Sequence, residues 1–285
     1  MNFINKASKL ALSVLTLGLM IAGCQKMDRP ALGKYPTDAN PPGGPLKFFA
    51  AYDGANSNQS MAAVDSIRAN FGVVSGSGSF VSGGVEGNCW SGNLTSYIVY
   101  PSANDFGVST SFTISFWMNI ALANKDNVNA DGVLALASSN NFWGNVTFYA
   151  DHSTGGNSDS MDLKMYIRNG SNDNWDFAGY TGNNRWPHMY DGNWHHVVFT
   201  YDATSKTGTF YRDGVVFDKK TNESCAFDSS PAQLVVGSFE QAAGVQGSLA
   251  SNSWMSCFPG KLDNIRLYGV ALAASDVQAL YNAKH

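Results

Sequence analysis

The chain has 285 residues, 14% charged, 44% hydrophobic and 13% aromatic, with 29 glycines and a formal net charge of −4. Charged residues fall well below the roughly 25% of an ordinary soluble chain while core material is ample, which excludes a disordered chain, a coiled coil and a long-helix bundle. The negative balance excludes a nucleic-acid binder that works by neutralising phosphates.

The N-terminus reads as an address. Lys6 and Lys9 form a positive n-region, and residues 10–21 are apolar apart from Ser13, Thr16 and Gly18. That stretch is too short for a mature membrane helix and suits a signal-peptide h-region. Ile21-Ala22-Gly23-Cys24 resembles the bacterial lipobox. The resemblance implies diacylation of the Cys24 thiol with a palmitate-type chain, cleavage before Cys24, and acylation of the new N-terminus. Gln25-Lys26-Met27-Asp28 resembles the surface-export tag of Bacteroidetes lipoproteins and departs from it at Met27. Lipid anchoring in the outer membrane with display at the cell surface is therefore expected, with a periplasm-facing anchor left open. Pro30, Pro36, Pro41, Pro42 and Pro45, interspersed with Gly33, Gly43 and Gly44, read as an extended tether rising about 3 Å per residue. The organisation expected is signal peptide 1–23, lipidated N-terminus and tether 24–46, and one domain 47–285.

Beyond residue 47 the chain breaks into short alternating segments separated by Gly, Asn, Asp and Ser. Within 111–120, Phe112, Ile114, Phe116 and Met118 share one face; within 161–168, Met161, Leu163, Met165 and Ile167 do. Residues 194–201 and 207–211 read as a hairpin across 202–206, and Asp213-Gly214 as a tight turn. Residues 233–237 and 260–268 read as further strands. The end reads as helix, capped by Ser275, with Val277, Leu280 and Tyr281 on one face. This pattern predicts an all-β antiparallel sandwich with a short C-terminal helix.

The order of these segments is similar to the LamG, or concanavalin A-like lectin/glucanase, domains. Phe112-Thr113-Ile114-Ser115-Phe116-Trp117 resembles their FTxSxW strand, and residues 192–202 their WHHVAxTYD strand. Phe210-Tyr211-Arg212-Asp213-Gly214 resembles LYVDG, with Arg212 where Val is usual. Residues 258–268 resemble FxGxIDxVRIY, followed at 271–277 by the equivalent of ALSxxEI. The resemblance implies a concanavalin A-like jelly roll. That fold hosts lectins, glycosidases and adhesion modules alike, so function must be read from a site.

Retaining glycoside hydrolysis needs two carboxylates about 5 Å apart, supplied in this fold by an E-x-D-x-x-E type strand. Glu86, Glu223 and Glu240 have no acidic partner at that spacing. Asp159 with Asp162, and Asp173 with Asp176, sit three apart among Asn, Ser and Gly and read as solvated loop positions. No catalytic residue is assigned. His195 and His196 are adjacent, point to opposite faces and read as structural. The resemblance implies a Ca²⁺ near the meeting of first and last strands, with Asp53 and Asp263 as ligands; the alternative is that Asp263 ties strand ends together through backbone N–H groups.

Tryptophans carry the binding signal, because sugar rings stack their C–H faces on aromatic rings. Trp143, Trp175, Trp186 and Trp254 each sit in an Asn-rich stretch and are the candidate glycan platforms, against the alternative of packing beneath loops. Trp117 and Trp194 belong to strand motifs and read as packing residues. Of Cys89, Cys225 and Cys257, the pair Cys225–Cys257 is the expected disulfide in an exported chain. The function expected is non-catalytic capture of a polysaccharide or other glycan ligand near outer-membrane uptake proteins. The alternatives are a protein-binding adhesion module and a glycoside hydrolase.

Overall fold

The computed structural model describes residues 44–55, 58–64, 69–126, 128–138, 141–151, 158–169, 172–176 (backbone), 185–228, 233–245 and 251–284. Cys24, the signal segment and most of the tether lie outside the described residues. In chain order the strands are β1 (Leu46–Ala50), β2 (Met61–Ala63), β3 (Ala69–Phe71), β4 (Val73–Ser75), β5 (Ser79–Ser82) and β6 (Asn88–Ser91). There follow β7 (Tyr97–Tyr100), β8 (Phe112–Asn119), β9 (Ala130–Leu136), β10 (Val146–Asp151), β11 (Asp162–Asn169) and β12 (Asn172–Asp176). The last are β13 (His195–Asp202), β14 (Thr207–Arg212), β15 (Val215–Thr221), β16 (Leu234–Val236), β17 (Met255–Cys257) and β18 (Lys261–Tyr268), before helix α1 (Ala274–Ala283).

Two eight-stranded sheets form a sandwich. The first runs β15-β14-β13-β8-β18-β6-β5, with β1 on β18; the second runs β12-β11-β10-β9-β16-β7-β4, with β17 parallel to β9. The alternation in β8 does what the pattern predicts: Phe112, Ile114, Phe116 and Met118 all enter the core between the sheets. Facing them from the second sheet are Leu134, Leu136, Val146, Phe148, Leu163, Met165, Ile167, Leu234 and Val236. Burying each such side chain contributes about 1.5–3 kcal/mol.

The other face of the first sheet is also covered. Helix α1 lies over it, so that Trp117 stacks on His196 with ring centroids 4.7 Å apart and on Tyr281 at 5.7 Å, while Val277 packs with Val198 and Tyr211. Thr113, Ser115 and Trp117 are therefore buried although they alternate out of the core. Asp213 and Gly214 both take positive φ, 52° and 78°, and close the β14–β15 hairpin between the paired residues Arg212 and Val215. Such left-handed pairs match the twist of the flanking strands.

The helix corrects one expectation. Its N-cap is Ala273, in extended backbone, and the Ala273 N–H donates to Asp276 Oδ2 at 3.3 Å. Ser275 lies inside the first turn and caps nothing, because the side chain that reaches back is the acid at the third helical position.

Candidate functional site

The outer face of the second sheet carries what the core-facing alternation leaves over. Since Val146, Phe148 and Ala150 of β10 face the core, Thr147, Tyr149 and Asp151 face outward; on β11 the outward set is Asp162, Lys164, Tyr166 and Arg168. Onto this face fold two loops bearing tryptophan. Trp143 precedes β10, Trp254 precedes β17, and their ring centroids lie 5.7 Å apart. Trp143 also stacks on Tyr149 at 5.8 Å with planes 15° apart, meets Phe142 edge-on at 5.1 Å, and lies 5.8 Å from Tyr166. Phe239 closes the cluster against Tyr149 at 5.4 Å and Trp254 at 5.7 Å. Tyr149 and Phe239 are buried at its base, whereas Trp143 and Trp254 are half-buried.

Local bonds hold Trp143 in place. Its N–H donates to Asn141 Oδ1 at 2.7 Å, and its carbonyl accepts from Thr147 Oγ1 at 2.6 Å. Gly144 turns the chain at φ 70°, and a Cβ there would meet Glu240 Oε2 and the Leu136 carbonyl, each at 2.7 Å. Only glycine suits both that backbone and that space. Trp254 is fixed through backbone, its carbonyl accepting the Ala130 N–H at 2.8 Å, with Ser256 Oγ donating to Asp131 Oδ1 at 2.6 Å just beyond.

Charge is arranged beside the rings. Asp151 and Asp162 pair across β10 and β11. The Lys164 ammonium binds Asp151 Oδ2, lies 3.8 Å from Asp162 Oδ2, and sits 5.9 Å over the Tyr149 ring. Lys164 is only 2% exposed, so the triad is an interior feature. Arg168 Nη1 lies 3.9 Å from Asp228 Oδ2 and donates to Ser138 Oγ at 3.0 Å. Beneath Gly144, burial pushes Glu240 up to about 8, although its Oε2 accepts the Ser138 N–H at 3.0 Å. Burial likewise raises Asp131 to about 8 despite its bond from Ser256.

The expected site residues divide. Trp143 and Trp254 come together. The register sets position 175 opposite Tyr166 on β12, and the side chain of Trp175 lies outside the described residues. Trp186 is no platform: it is 2% exposed, stacked on Phe217 at 4.3 Å and edge-on to Phe210 at 5.1 Å. Reciprocal backbone bonds with Met161, 2.8 and 2.9 Å, draw it into the sandwich. Asp162 is a buried strand residue rather than a solvated loop position, because Lys164 two residues on shares its face and offsets its charge.

No disulfide joins Cys225 and Cys257; Cys89, Cys225 and Cys257 are all thiols. Cys257 pairs with Gly132, at the level of Lys164, whereas Ala226, next to Cys225, bridges Asn169. Five residues of strand separate those levels, about 16 Å, against the Cα separation below about 7 Å that a disulfide requires.

Asp53 and Asp263 approach the same turn and accept backbone N–H groups there. Asp263 accepts N–H bonds from Val85 at 2.7 Å and Asn264 at 2.8 Å, and Asp53 accepts that of Asn88 at 2.7 Å. Burial, opposed by these bonds and reinforced by the charge of Asp53, raises Asp263 to about 8. A Ca²⁺ takes six to eight oxygens, of which these two residues could supply carboxylates; the bonds seen here tie the turn between β5 and β6 to the strand ends, the alternative reading of Asp263. Among the described residues no three His, Cys, Asp or Glu converge as a metal site.

His195 and His196 face opposite ways. His196 lies under α1 with Nε2 2.9 Å from Ser115 Oγ, and burial together with the Arg266 charge lowers it to about 3. His195 lies between Asp213, 3.0 Å from Nδ1, and Asp191, 3.1 Å from Nε2. Burial opposes its protonation, yet the two carboxylates outweigh burial and raise its pKa above the ordinary value. The stability this charge supplies is complete below pH about 6.5 and is lost as pH rises through the higher folded value. The unfolding free energy of the native chain, from urea titration, is expected to fall over that window by about 1 kcal/mol more than that of His195→Gln; equal profiles would refute the charged clamp.

Sequence reasoning missed Tyr149, Tyr166, Lys164 and the cross-strand pair Asp151–Asp162. The available signal was the outward alternation of 147, 149 and 151 against 162, 164, 166 and 168.

A family model described as the concanavalin A-like lectin/glucanases superfamily matches residues 91–278. No curated protein matches the chain by sequence. Among solved structures, domain 4 of AbnA, a GH43 extracellular arabinanase from Geobacillus stearothermophilus, in complex with arabinotriose, is 16% identical with a TM-score of 0.54, covering 83% of this chain and 98% of that one. The binding domain of botulinum neurotoxin serotype D/C VPI 5993 is 12% identical with a TM-score of 0.54, covering 84% and 52%. The binding domain of Paraclostridial Mosquitocidal Protein 1 is 16% identical with a TM-score of 0.51, covering 84% and 52%. The chain thus spans about half of either toxin chain, and at these identities the likeness concerns the fold.

Proposed function

The chain belongs to the concanavalin A-like lectin/glucanases superfamily, and from that premise we propose that it is a lipid-anchored protein of the outer membrane whose sandwich captures polysaccharide at the cell surface without cleaving it. The carrying observation is the pair of half-buried rings, Trp143 and Trp254, fixed side by side on the outer face of the second sheet. Rigid aromatic surface flanked by hydrogen-bonding groups is what a sugar ring stacks on. The arabinanase domain seen with arabinotriose supports a glycan-holding use of this fold. The lipobox ending in Cys24 and the proline-rich tether support anchoring, and the proposal places the captured polysaccharide near outer-membrane uptake proteins.

Affinity electrophoresis through polysaccharide-loaded gels tests the reading. Trp143→Ala, folded by circular dichroism, is expected to lose retardation with an affinity drop of about tenfold, the scale of one lost stacking contact. Unchanged retardation would remove Trp143 from the site.

One observation favours a hydrolase instead: Asp151 and Asp162 face each other across neighbouring strands, where opposite side chains lie close to the roughly 5 Å that retaining enzymes need between carboxylates. Against it, Lys164 binds Asp151 and lies 3.8 Å from Asp162, so an internal cation engages the pair where a substrate would have to enter. Incubation with each retarding polymer is expected to release no reducing ends; release abolished by Asp162→Asn would establish the hydrolase.

A further inference from the structure

The charges around the rings bear on what kind of glycan fits. The outward positions of β10 and β11 carry Asp151 and Asp162 against two cations, Lys164 and Arg168. Both cations are already engaged within the fold: Lys164 by Asp151 and Asp162, Arg168 by Asp228. Glu240, beneath Gly144, the residue that follows Trp143, is pushed up to about 8 and so adds no charge at neutral pH. Among the described residues the face therefore offers no surplus positive charge.

We infer that the ligand of this face is an uncharged polysaccharide, one built of neutral sugars without uronate, sulfate or ammonium groups. The inference rests on the glycan-binding reading above. A uronate or sulfate would have to displace Asp151 or Asp228 from its cation, and would meet like charge on approach; recognition of such groups elsewhere uses arginine or lysine left available for bidentate or point-charge contact. An amino sugar would find Asp151 and Asp162 already held by Lys164, which occupies the position its ammonium would take. A neutral ring asks first for aromatic surface, which Trp143 and Trp254 bring to this region.

The test uses the full chain in detergent, run through gels containing debranched arabinan, xylan or lichenan, and in parallel polygalacturonate, heparin or chitosan. Expected is retardation by at least one neutral polymer, unchanged between about 10 mM and about 500 mM salt, a range that screens exposed charge. Trp143→Ala is expected to abolish it, with Trp254→Ala as the second variant should the first not fold. Retardation by polygalacturonate, heparin or chitosan that is lost in high salt and lost in either tryptophan variant would overturn the neutral-ligand inference while leaving the glycan-binding reading in place. Failure of every polymer to retard the chain, or retardation indifferent to both tryptophans, would overturn the reading and the inference together.

Discussion

At pH 8.5 the Glu240→Gln chain is expected to resist urea better than the native chain, by on the order of 3–5 kcal/mol, and at pH 4.5 the two are expected to unfold together. Glu240 is fully buried, and burial raises its pKa from 4.5 to about 8. The folded protein thus keeps this proton up to about pH 8, whereas the unfolded chain releases it near 4.5. The stability supplied by the neutral acid is complete below about 4.5 and is lost as pH rises through about 8, at close to 1.4 kcal/mol per pH unit. Glutamine is never ionised and keeps an oxygen for the Ser138 N–H that now bonds Oε2 at 3.0 Å. Asp131 and Asp263, both raised to about 8 by burial, act alike in the two chains and cancel from the difference. Parallel unfolding profiles from pH 4.5 to 8.5 would show that Glu240 is charged in the folded state, and would remove one support for the neutral-ligand inference.

How far the molecule is legible in its sequence depends on what each signal measures. Period-two alternation reports which side chains share a face, so β8, β11, β13, β14 and β18 are all readable, and Asp213-Gly214 marks its hairpin because few other pairs take two positive φ angles in succession. β10 is harder to read. Phe148 and Tyr149 are adjacent large rings, one in the core and one on the outer face, so neither face looks polar. The same ambiguity hides the aromatic wall: Trp143 and Trp254 stand out in Asn-rich loops, but the rings that complete the cluster come from strands whose neighbours the sequence does not name.

Pairs across strands are the least legible, because register is a tertiary fact. Searching for carboxylates along one strand finds nothing, while Asp151 and Asp162 sit opposite each other across a connection of undescribed conformation. Trp186 shows the converse. Its surroundings, Asn183-Asn184-Arg185 before and Pro187-His188 after, look exposed, yet two backbone bonds to Met161 set its ring in the core against Phe217. Local polarity describes the neighbours of a residue, not the direction in which its side chain leaves the backbone.

Lys164→Met is expected to destabilise the fold by on the order of 3–5 kcal/mol, the cost of leaving buried carboxylates without their cation. The Asp162 side chain is fully buried and that of Asp151 is 13% exposed, so solvent screens neither charge well once the ammonium is gone. Methionine replaces the volume of the lysine stem, which confines the loss to charge rather than packing. Adding Asp162→Asn to Lys164→Met is expected to restore part of the stability, since it removes the fully buried carboxylate and leaves only the 13% exposed Asp151 without its cation. The coupling between the two substitutions in a double-mutant cycle then measures the triad itself. Additive effects would show that Lys164 and Asp162 are not coupled and that the loss in Lys164→Met comes through Asp151. The chain carrying Lys164→Met, Asp151→Asn and Asp162→Asn lacks all three charges while Trp143 and Trp254 are unaltered. If the rings hold a neutral sugar, this chain is expected to be retarded by the same polymer as the native protein. If retardation disappears from a folded triple variant, the charges belong to recognition, and the ligand must present something for them to meet.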